Sequence, residues 1–230
     1  MARPRSAGYE GQRDQILAAA AALFARRGYT AATMNEVAAD CGVSKATLYH
    51  YVRDKHDLLA QIATGHVARL EALVADVSAG RLAPDAHLRA LIERFMAAYA
   101  GAQHEHRVLT EDVKFLADGE RGQVLAAQRR VVAAFAAALV ALQPALADTP
   151  LAKPLAMLLF GMINWTFTWL KPGGALTHET LAPVVAQLFF GGLAAVGGAG
   201  ADDAAAAGVH RAISGAVSNT PESPVGRSAG

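Results

Sequence analysis

Apolar residues recur at helical spacing along most of the chain, and no stretch alternates long enough to predict a strand. Near the N-terminus, Ile16, Ala20, Leu23 and Phe24 fall three or four positions apart and form one apolar stripe. Gly28 follows that stripe and is placed to end the helix as a C-terminal cap. The pattern therefore predicts an amphipathic first helix.

Two short helices and a long one are predicted next. Thr33 and Glu36 have the spacing of a capping box, so a second helix should begin at about Met34 and end near Gly42. Ser44 is a natural N-cap for a third helix. A long fourth helix then begins after Asp54, which is its predicted cap.

The remainder of the chain continues the helical pattern without an internal repeat. Further helices are predicted over about 85–101, 104–117, 119–143, 151–171 and 177–196. We therefore expect an all-α fold with three parts: a helix-turn-helix domain over 1–60, a larger helical domain over 61–197, and a flexible Gly/Ala/Ser-rich tail over 198–230.

Composition narrows the class of protein. Of the 230 residues, 53% are apolar, which is enough to bury a core, and the formal net charge is only +1. The single Cys41 cannot form an intrachain disulfide, which fits a reducing cytoplasm. No apolar segment follows the N-terminal arginines, so a signal peptide is not expected. The apolar runs 131–142 and 155–170 are shorter than the roughly 20 residues that span a membrane, and predict buried or interface helices.

The second and third helices, joined at a tight glycine turn, have the pattern of a helix-turn-helix, whose second helix enters the DNA major groove. Leu48, Tyr51 and Val52 would seat that helix on the other two. The exposed hydroxyl, basic and aromatic groups would then face bases and phosphates. The predicted DNA-binding residues are Thr33, Ser44, Lys45, Ala46, Thr47, Tyr49, His50 and Lys55.

The stretch from Ile16 to Leu59 resembles the DNA-binding domain of the TetR family of bacterial repressors. The resemblance is carried by Leu23-Phe24, Gly28-Tyr29, Thr33, Gly42-Val43-Ser44, Leu48-Tyr49 and Lys55, whereas Val52 stands where the family usually has phenylalanine. The resemblance implies a homodimer that binds a palindromic double-stranded DNA operator and is released by a small effector. The eighth and ninth predicted helices, apolar nearly all round, are the expected dimer seam.

Residues 161–193 and 107–116 also resemble a narrower branch, the regulators of fatty-acid, steroid-ring and phenylacetate degradation. The effectors that this implies are acyl-CoA thioesters, which need an apolar tunnel and cations for the CoA phosphates. The predicted tunnel residues are Phe95, Met96, Tyr99, Phe115, Met162, Trp165 and Trp169, the two tryptophans sharing a helical face. The predicted cations are Arg94, Arg107, Lys114 and Arg121, with Arg129 and Arg130 also available. The alternative is a multidrug or toxin-responsive efflux repressor without a CoA ligand.

The sequence offers no pattern for an enzyme, a metal or a cofactor. It has no phosphate-cradling glycine loop and no nucleophile–base arrangement, so no catalytic residue and no cofactor are expected. His104 and His106 are two apart on a predicted helix and would point away from each other, which disfavours a metal site. His66 and the other histidines are scattered along the chain and predict no shared site.

Overall fold

The computed structural model describes residues 7–171 and 173–198. Within these ranges every regular element is helical, which confirms the predicted all-α class. The helices are α1 (Ala7–Arg27), α2 (Met34–Asp40), α3 (Lys45–Leu48), α4 (Lys55–Ala79), α5 (Pro84–Gly101), α6 (Gln103–Glu111), α7 (Asp118–Leu142), α8 (Ala152–Asn164), α9 (Thr166–Trp169) and α10 (His178–Gly198). Short 3₁₀ turns lie at Val113–Phe115 and Pro144–Asp148.

The first three helices follow the predicted caps. Gly28 ends α1 with a φ of 80°, a left-handed conformation that other residues rarely adopt. Thr33 Oγ1 accepts from the Glu36 amide while a Glu36 carboxylate oxygen accepts from the Thr33 amide, so the capping box that begins α2 is complete. Gly42, with a φ of 65°, makes the turn into α3. The local sequence therefore sets the helix boundaries that shape this domain.

Helix α4 links the N-terminal helices to the larger bundle. It packs against α1 and also against α5, α6 and α7. The predicted domain boundary near residue 60 falls inside this continuous helix. The core of the bundle contains Phe95, Phe135 and Phe160, with ring centroids 4.9 Å apart for the first pair and 4.7 Å for the second. Because α4 belongs to both parts, a change in the bundle can reach the N-terminal helices through a single rigid element.

The helix predicted over 151–171 is interrupted, and this corrects the sequence prediction. Helix α8 ends at Asn164, Trp165 caps it, and the one-turn α9 follows. Thr166 Oγ1 donates to the Ile163 carbonyl at 2.7 Å, and Thr168 Oγ1 donates to the Trp165 carbonyl at 2.7 Å. Such side-chain bonds compete with the helical ladder and favour a break. Trp165 and Trp169 consequently do not share one face of a continuous helix.

Two helices are long and apolar enough to cross a membrane by length and composition alone, Asp118–Leu142 and His178–Val196. The first is α7, which packs against α4, α5 and α8 as the core helix of the bundle. This arrangement explains its apolar character.

The described chain forms one compact unit up to Gln187, and residues from Leu188 onward belong to a second. Of the second unit, the described part is the C-terminal portion of α10, which carries the exposed side chains of Leu188 and Val196. The flexible tail that the sequence predicts over 198–230 lies, beyond Gly198, outside the described residues.

Candidate DNA-binding face and effector cavity

The recognition segment, which runs from Ser44 to His50, presents a polar surface on an apolar base. Ser44 Oγ accepts from the Thr47 amide at 3.0 Å and caps α3. Leu48 and Val52 are buried beneath it, and α3 packs against α2. Val52 fills its site with a side chain smaller than the phenylalanine usual in the resembled family.

The predicted DNA-binding residues of this segment lie together on the surface. Ser44, Lys45, Ala46 and His50 are exposed, Tyr49 is 45% exposed, and Thr47 is half-buried, with its hydroxyl 2.8 Å from Ser44 Oγ. Thr33, the exposed cap of α2, begins the neighbouring helix. Hydroxyl and ammonium groups at the start of α3, with phenol and imidazole groups just after its end, can contact phosphates and base edges.

Lys55 has a different surrounding from the other predicted DNA contacts. Its ammonium donates to the carbonyls of Tyr29, Thr30 and Ala32 at 3.0, 3.1 and 2.9 Å, and lies 4.7 Å from the centre of the Tyr29 ring. An ammonium has three N–H donors, so all three are engaged within the domain. In this structure Lys55 ties the start of α4 to the loop that follows α1, and has no free donor for the predicted phosphate contact.

The structure adds one residue near the recognition segment that the sequence prediction omitted. Tyr9 stacks on Tyr51 with ring centroids 4.6 Å apart, and its hydroxyl donates to the His50 carbonyl at 3.4 Å. This contact exists because α1 begins at Ala7, well before the predicted apolar stripe. Two glycines in the first turns, Gly8 and Gly11, weaken the helical signal there.

A cavity of about 630 Å³ lies among helices α4 to α8. Its volume falls in the range of small-molecule sites. Most of its wall is apolar, so it suits a hydrophobic ligand. The principal apolar lining residues are Val67 and Leu70 of α4, Leu109 of α6, Val131 of α7, and Met157 and Phe160 of α8.

Polar groups of two kinds interrupt this apolar lining. Inside, Tyr99 Oη donates to Asn164 Oδ1 at 2.9 Å, and the Tyr99 ring stacks on His106 with centroids 3.9 Å apart. Arg129 and Lys153 also line the cavity, and both are exposed. Among the described residues no carboxylate forms an ion pair with either cation. These two side chains can therefore bind an anionic part of a ligand.

Of the predicted tunnel residues, only Tyr99 is among the described residues that line this cavity. Phe95 and Met96 are fully buried in the core, where α5 packs on α7. Trp165 and Trp169 lie on the surface and are 60% and 52% exposed. The remaining two are Met162, which is half-buried, and Phe115, which stacks on Tyr29 at 5.3 Å. The structure thus does not bring the predicted tunnel residues together.

The predicted cations lie outside the cavity, on the surface. Arg94 pairs with Asp76 at 2.7 Å, Arg107 with Glu111 at 3.0 Å, and Arg121 with Asp118 at 2.8 Å. Lys114 lies over the Phe115 ring at 5.2 Å. Of the two further arginines, Arg130 pairs with Glu71 at 2.6 Å, and Arg129 is the one that reaches the cavity. The helical pattern of the sequence could not show whether Arg129 or Arg130 faces the cavity, because that depends on how α7 packs against the other helices.

The structure brings together two histidines that the sequence left apart. His66 of α4 and His106 of α6 are both buried, with His66 Nε2 3.4 Å from His106 Nδ1. Burial, with the nearby Arg69 and the other ring as lesser causes, lowers the pKa of His66 to about 3. Burial also lowers the pKa of His106 to about 4, an effect that the Asn164 backbone partly offsets. Both rings are therefore neutral at physiological pH.

Comparison with known proteins gives a family match for the N-terminal helices and another for the larger bundle. Residues 16–62 match the family described as bacterial regulatory proteins, tetR family, and residues 81–193 match the tetracyclin repressor-like C-terminal domain. A TetR-family transcriptional regulator from Bordetella parapertussis 12822 has a similar structure, with 36% identity and a TM-score of 0.75 over 79% of this chain and 95% of that one.

Two further relatives have named roles. The HTH-type transcriptional repressor KstR2 of Rhodococcus jostii (strain RHA1) is 26% identical over 194 residues, which are 82% of this chain and 94% of that protein. AibR, solved in complex with isovaleryl coenzyme A and operator DNA, is 28% identical with a TM-score of 0.67, over 77% of this chain and 97% of AibR.

Proposed function

The chain belongs to the TetR family of bacterial transcriptional regulators, and on that premise we propose that it is a dimeric repressor released from its operator by an acyl-CoA thioester. Family membership makes it a DNA-binding regulator rather than an enzyme. The observation that carries the proposal is the apolar cavity of about 630 Å³ whose wall holds two cations, Arg129 and Lys153, that form no ion pair with any described residue. This combination suits a ligand that is apolar at one end and anionic at the other.

The DNA-binding part of the proposal rests on the recognition segment. Lys45 is exposed at the start of the one-turn helix α3, and Tyr49 and His50 are exposed just after its end. Leu48, the last residue of α3, is buried. One such segment contacts few bases, and specific affinity normally comes from two half-sites about 34–36 Å apart on one face of the DNA. A dimer is therefore part of the proposal. Operator binding would place its action in the cytoplasm.

The dimer is proposed to form through α8 and α10. On α8, Leu158 is exposed next to Gly161, whose lack of a side chain allows close approach of another helix. Trp165, which caps α8, adds an exposed aromatic ring. On α10, Val184 is likewise exposed. A row of large apolar side chains on a helix surface is costly in water and is relieved when a second copy covers it.

The choice of an acyl-CoA as the effector rests on the two kinds of residue that line the cavity, apolar side chains and two cations. An acyl group would lie among apolar residues such as Leu70 and Phe160, and the CoA phosphates would lie against Arg129 and Lys153. An unpaired guanidinium binds phosphate bidentately, and an unpaired ammonium binds it as a point charge. AibR, which shares the fold, is known in complex with an acyl-CoA and operator DNA. This likeness supports the choice of ligand class.

Release would be transmitted by α4. Its residues Val67 and Leu70 line the cavity, and its first residue, Lys55, is bonded to the loop after α1. Leu70 and Lys55 are about 22 Å apart along the helix at the usual rise of ~1.5 Å per residue. A ligand that binds better to a bundle with a displaced α4 would thus move the recognition segments of the dimer out of register.

The test is fluorescence anisotropy of labelled DNA from the gene's upstream region, titrated with the full-length protein at fixed salt. The complex is then challenged with isovaleryl-, phenylacetyl-, octanoyl- and palmitoyl-CoA, with free CoA as the matched control. Release by one thioester at concentrations where free CoA has no effect would support the proposal. Tight DNA binding that no thioester disturbs would discard the acyl-CoA effector and leave the efflux-type alternative.

A further inference from the structure

One polar atom in the wall of the effector cavity has no hydrogen-bond partner within the part of the chain that the structure describes. His106 is 3% exposed and lines the cavity, and its Nε2 is buried without a hydrogen bond to any described residue. Its other ring nitrogen is engaged with His66. Buried polar atoms are nearly always paired, so an unpaired one beside a ligand cavity indicates a group that the ligand satisfies.

The hydrogen-bond chain behind His106 determines whether this atom is a donor or an acceptor. Arg69 Nη2 lies 3.4 Å from His66 Nδ1, and a guanidinium can only donate. His66 Nδ1 must therefore accept, which places the single proton of the neutral His66 ring on Nε2. That proton is donated to His106 Nδ1, so the proton of the neutral His106 ring lies on Nε2. The unpartnered atom is an N–H donor.

The neighbouring groups leave this donor for the ligand. Tyr99 holds the His106 ring in place by stacking at 3.9 Å, but its own hydroxyl is donated to Asn164 Oδ1. The Asn164 backbone interacts with the His106 ring and raises its pKa, but it makes no hydrogen bond with Nε2 that would satisfy this donor. A neutral N–H in a mostly apolar wall is matched best by a neutral acceptor such as a carbonyl oxygen.

We propose that His106 Nε2–H is a specificity-determining contact that donates a hydrogen bond to a carbonyl oxygen of the effector. This inference rests on the proposed function, in which the carbonyl is that of the thioester. The contact would distinguish an acyl-CoA from a CoA derivative of equal size that lacks the carbonyl. It would also join the ligand to α4, because His106 is bonded directly to His66 of that helix.

The first test is the tautomeric state of the two histidines in the ligand-free, full-length protein, read from long-range ¹H–¹⁵N correlation spectra. We expect both His66 and His106 to carry the proton on Nε2. A proton on Nδ1 of His106 would make Nε2 an acceptor and would overturn the inference. This measurement needs no substitution and does not depend on which thioester binds.

The second test compares the thioester that releases operator DNA with its S-alkyl thioether, which has the same CoA part and chain length but no carbonyl. We expect the wild-type protein to need about tenfold more thioether for half-release, the usual order for one hydrogen bond. His106→Phe should reduce this preference to less than about twofold. His106→Gln, which restores an N–H at about the same position, should recover part of it.

The matched control is His104→Phe, the same chemical change at an exposed position of the same helix, which should keep the wild-type preference. Equal potency of thioester and thioether in the wild-type protein would overturn this inference while leaving the proposed function intact. A panel without any releasing thioester would overturn the proposed function, and with it the carbonyl contact. The two failures are therefore distinguishable.

Discussion

His66 and His106 meet inside the bundle, with Nε2 of the first 3.4 Å from Nδ1 of the second. They come from α4 and α6, and both of these helices also pack against α1 of the DNA-binding part. His106 lines the cavity among α4 to α8, whereas His66 lies on the helix that begins at Lys55. This pair thus connects the cavity wall with the helix that follows the recognition segment and packs on α1.

The histidine pair predicts a stability that depends on pH. In the folded chain the pKa values of His66 and His106 are lowered to about 3 and about 4, below the ordinary value of 6.5. As pH falls below about 6.5 the unfolded chain binds protons that the folded chain does not, so the free energy of unfolding should decrease towards pH 4. Each histidine contributes a slope of at most about 1.4 kcal/mol per pH unit. Urea denaturation at a series of pH values between 7.5 and 4 measures this change in the free energy of unfolding.

The control separates these two groups from the carboxylates that also titrate in acid. His106→Phe removes one of the buried groups and should make the decrease between pH 6 and pH 4 shallower than in the wild-type protein. His104→Phe changes an exposed histidine on the same helix and should leave the curve unchanged. Parallel curves for wild type and His106→Phe would contradict the assigned burial.

Substitutions of Lys55 and Lys45 should affect different properties of the protein, stability for the first and DNA binding for the second. Lys55→Gln removes a side chain that donates to three carbonyls, and we expect a loss of about 1–3 kcal/mol in the free energy of unfolding. Lys45→Gln changes an exposed side chain and should alter stability by less than about 0.5 kcal/mol. Lys45→Gln should instead weaken operator binding and lower its salt slope by about one. Denaturation and anisotropy at several salt concentrations measure both effects.

Adjacent arginines on α7 provide a matched pair for the ligand site. Arg129→Gln removes an unpaired guanidinium from the cavity wall and should raise the thioester concentration for half-release about tenfold or more. Arg130→Gln removes a guanidinium that is paired with Glu71 outside the cavity and should leave that concentration unchanged. Operator affinity without ligand should be the same for both variants. An equal effect of the two substitutions would contradict the assigned orientation of α7.

The proposed dimer seam can be tested at Leu158, which is 65% exposed on α8. Leu158→Glu would bury a carboxylate at the seam, and we expect the dimer dissociation constant to rise at least about 100-fold. Light scattering with size-exclusion chromatography measures the shift towards monomer. Leu82→Glu makes the same change in the exposed loop before α5 and should leave the dimer intact. A Leu158→Glu protein that remains dimeric would place the seam elsewhere.

Local signals predicted much of the fold correctly. The capping box at Thr33, the Ser44 cap and the glycine turns set helix limits through contacts within a few residues, so they could be read directly. The break after Asn164 was missed because the apolar pattern continues through it, and the hydroxyl bonds of Thr166 and Thr168 that favour it depend on side-chain rotamers. The early start of α1 was missed for the opposite reason, since its first turns carry little apolar pattern.

The sequence by itself determined the all-α class, the helix-turn-helix and the exposed recognition segment, because each depends on periodicity or on caps a few residues apart. Only the tertiary structure decided which residues line the cavity proposed for the effector. Helical periodicity shows which residues share a face but not which helix that face will meet, so Phe95 and Trp165 fit the pattern of a tunnel as well as Phe160 does. The meeting of His66 and His106 depends on how α4 packs on α6, a contact between residues 40 positions apart that no local pattern encodes.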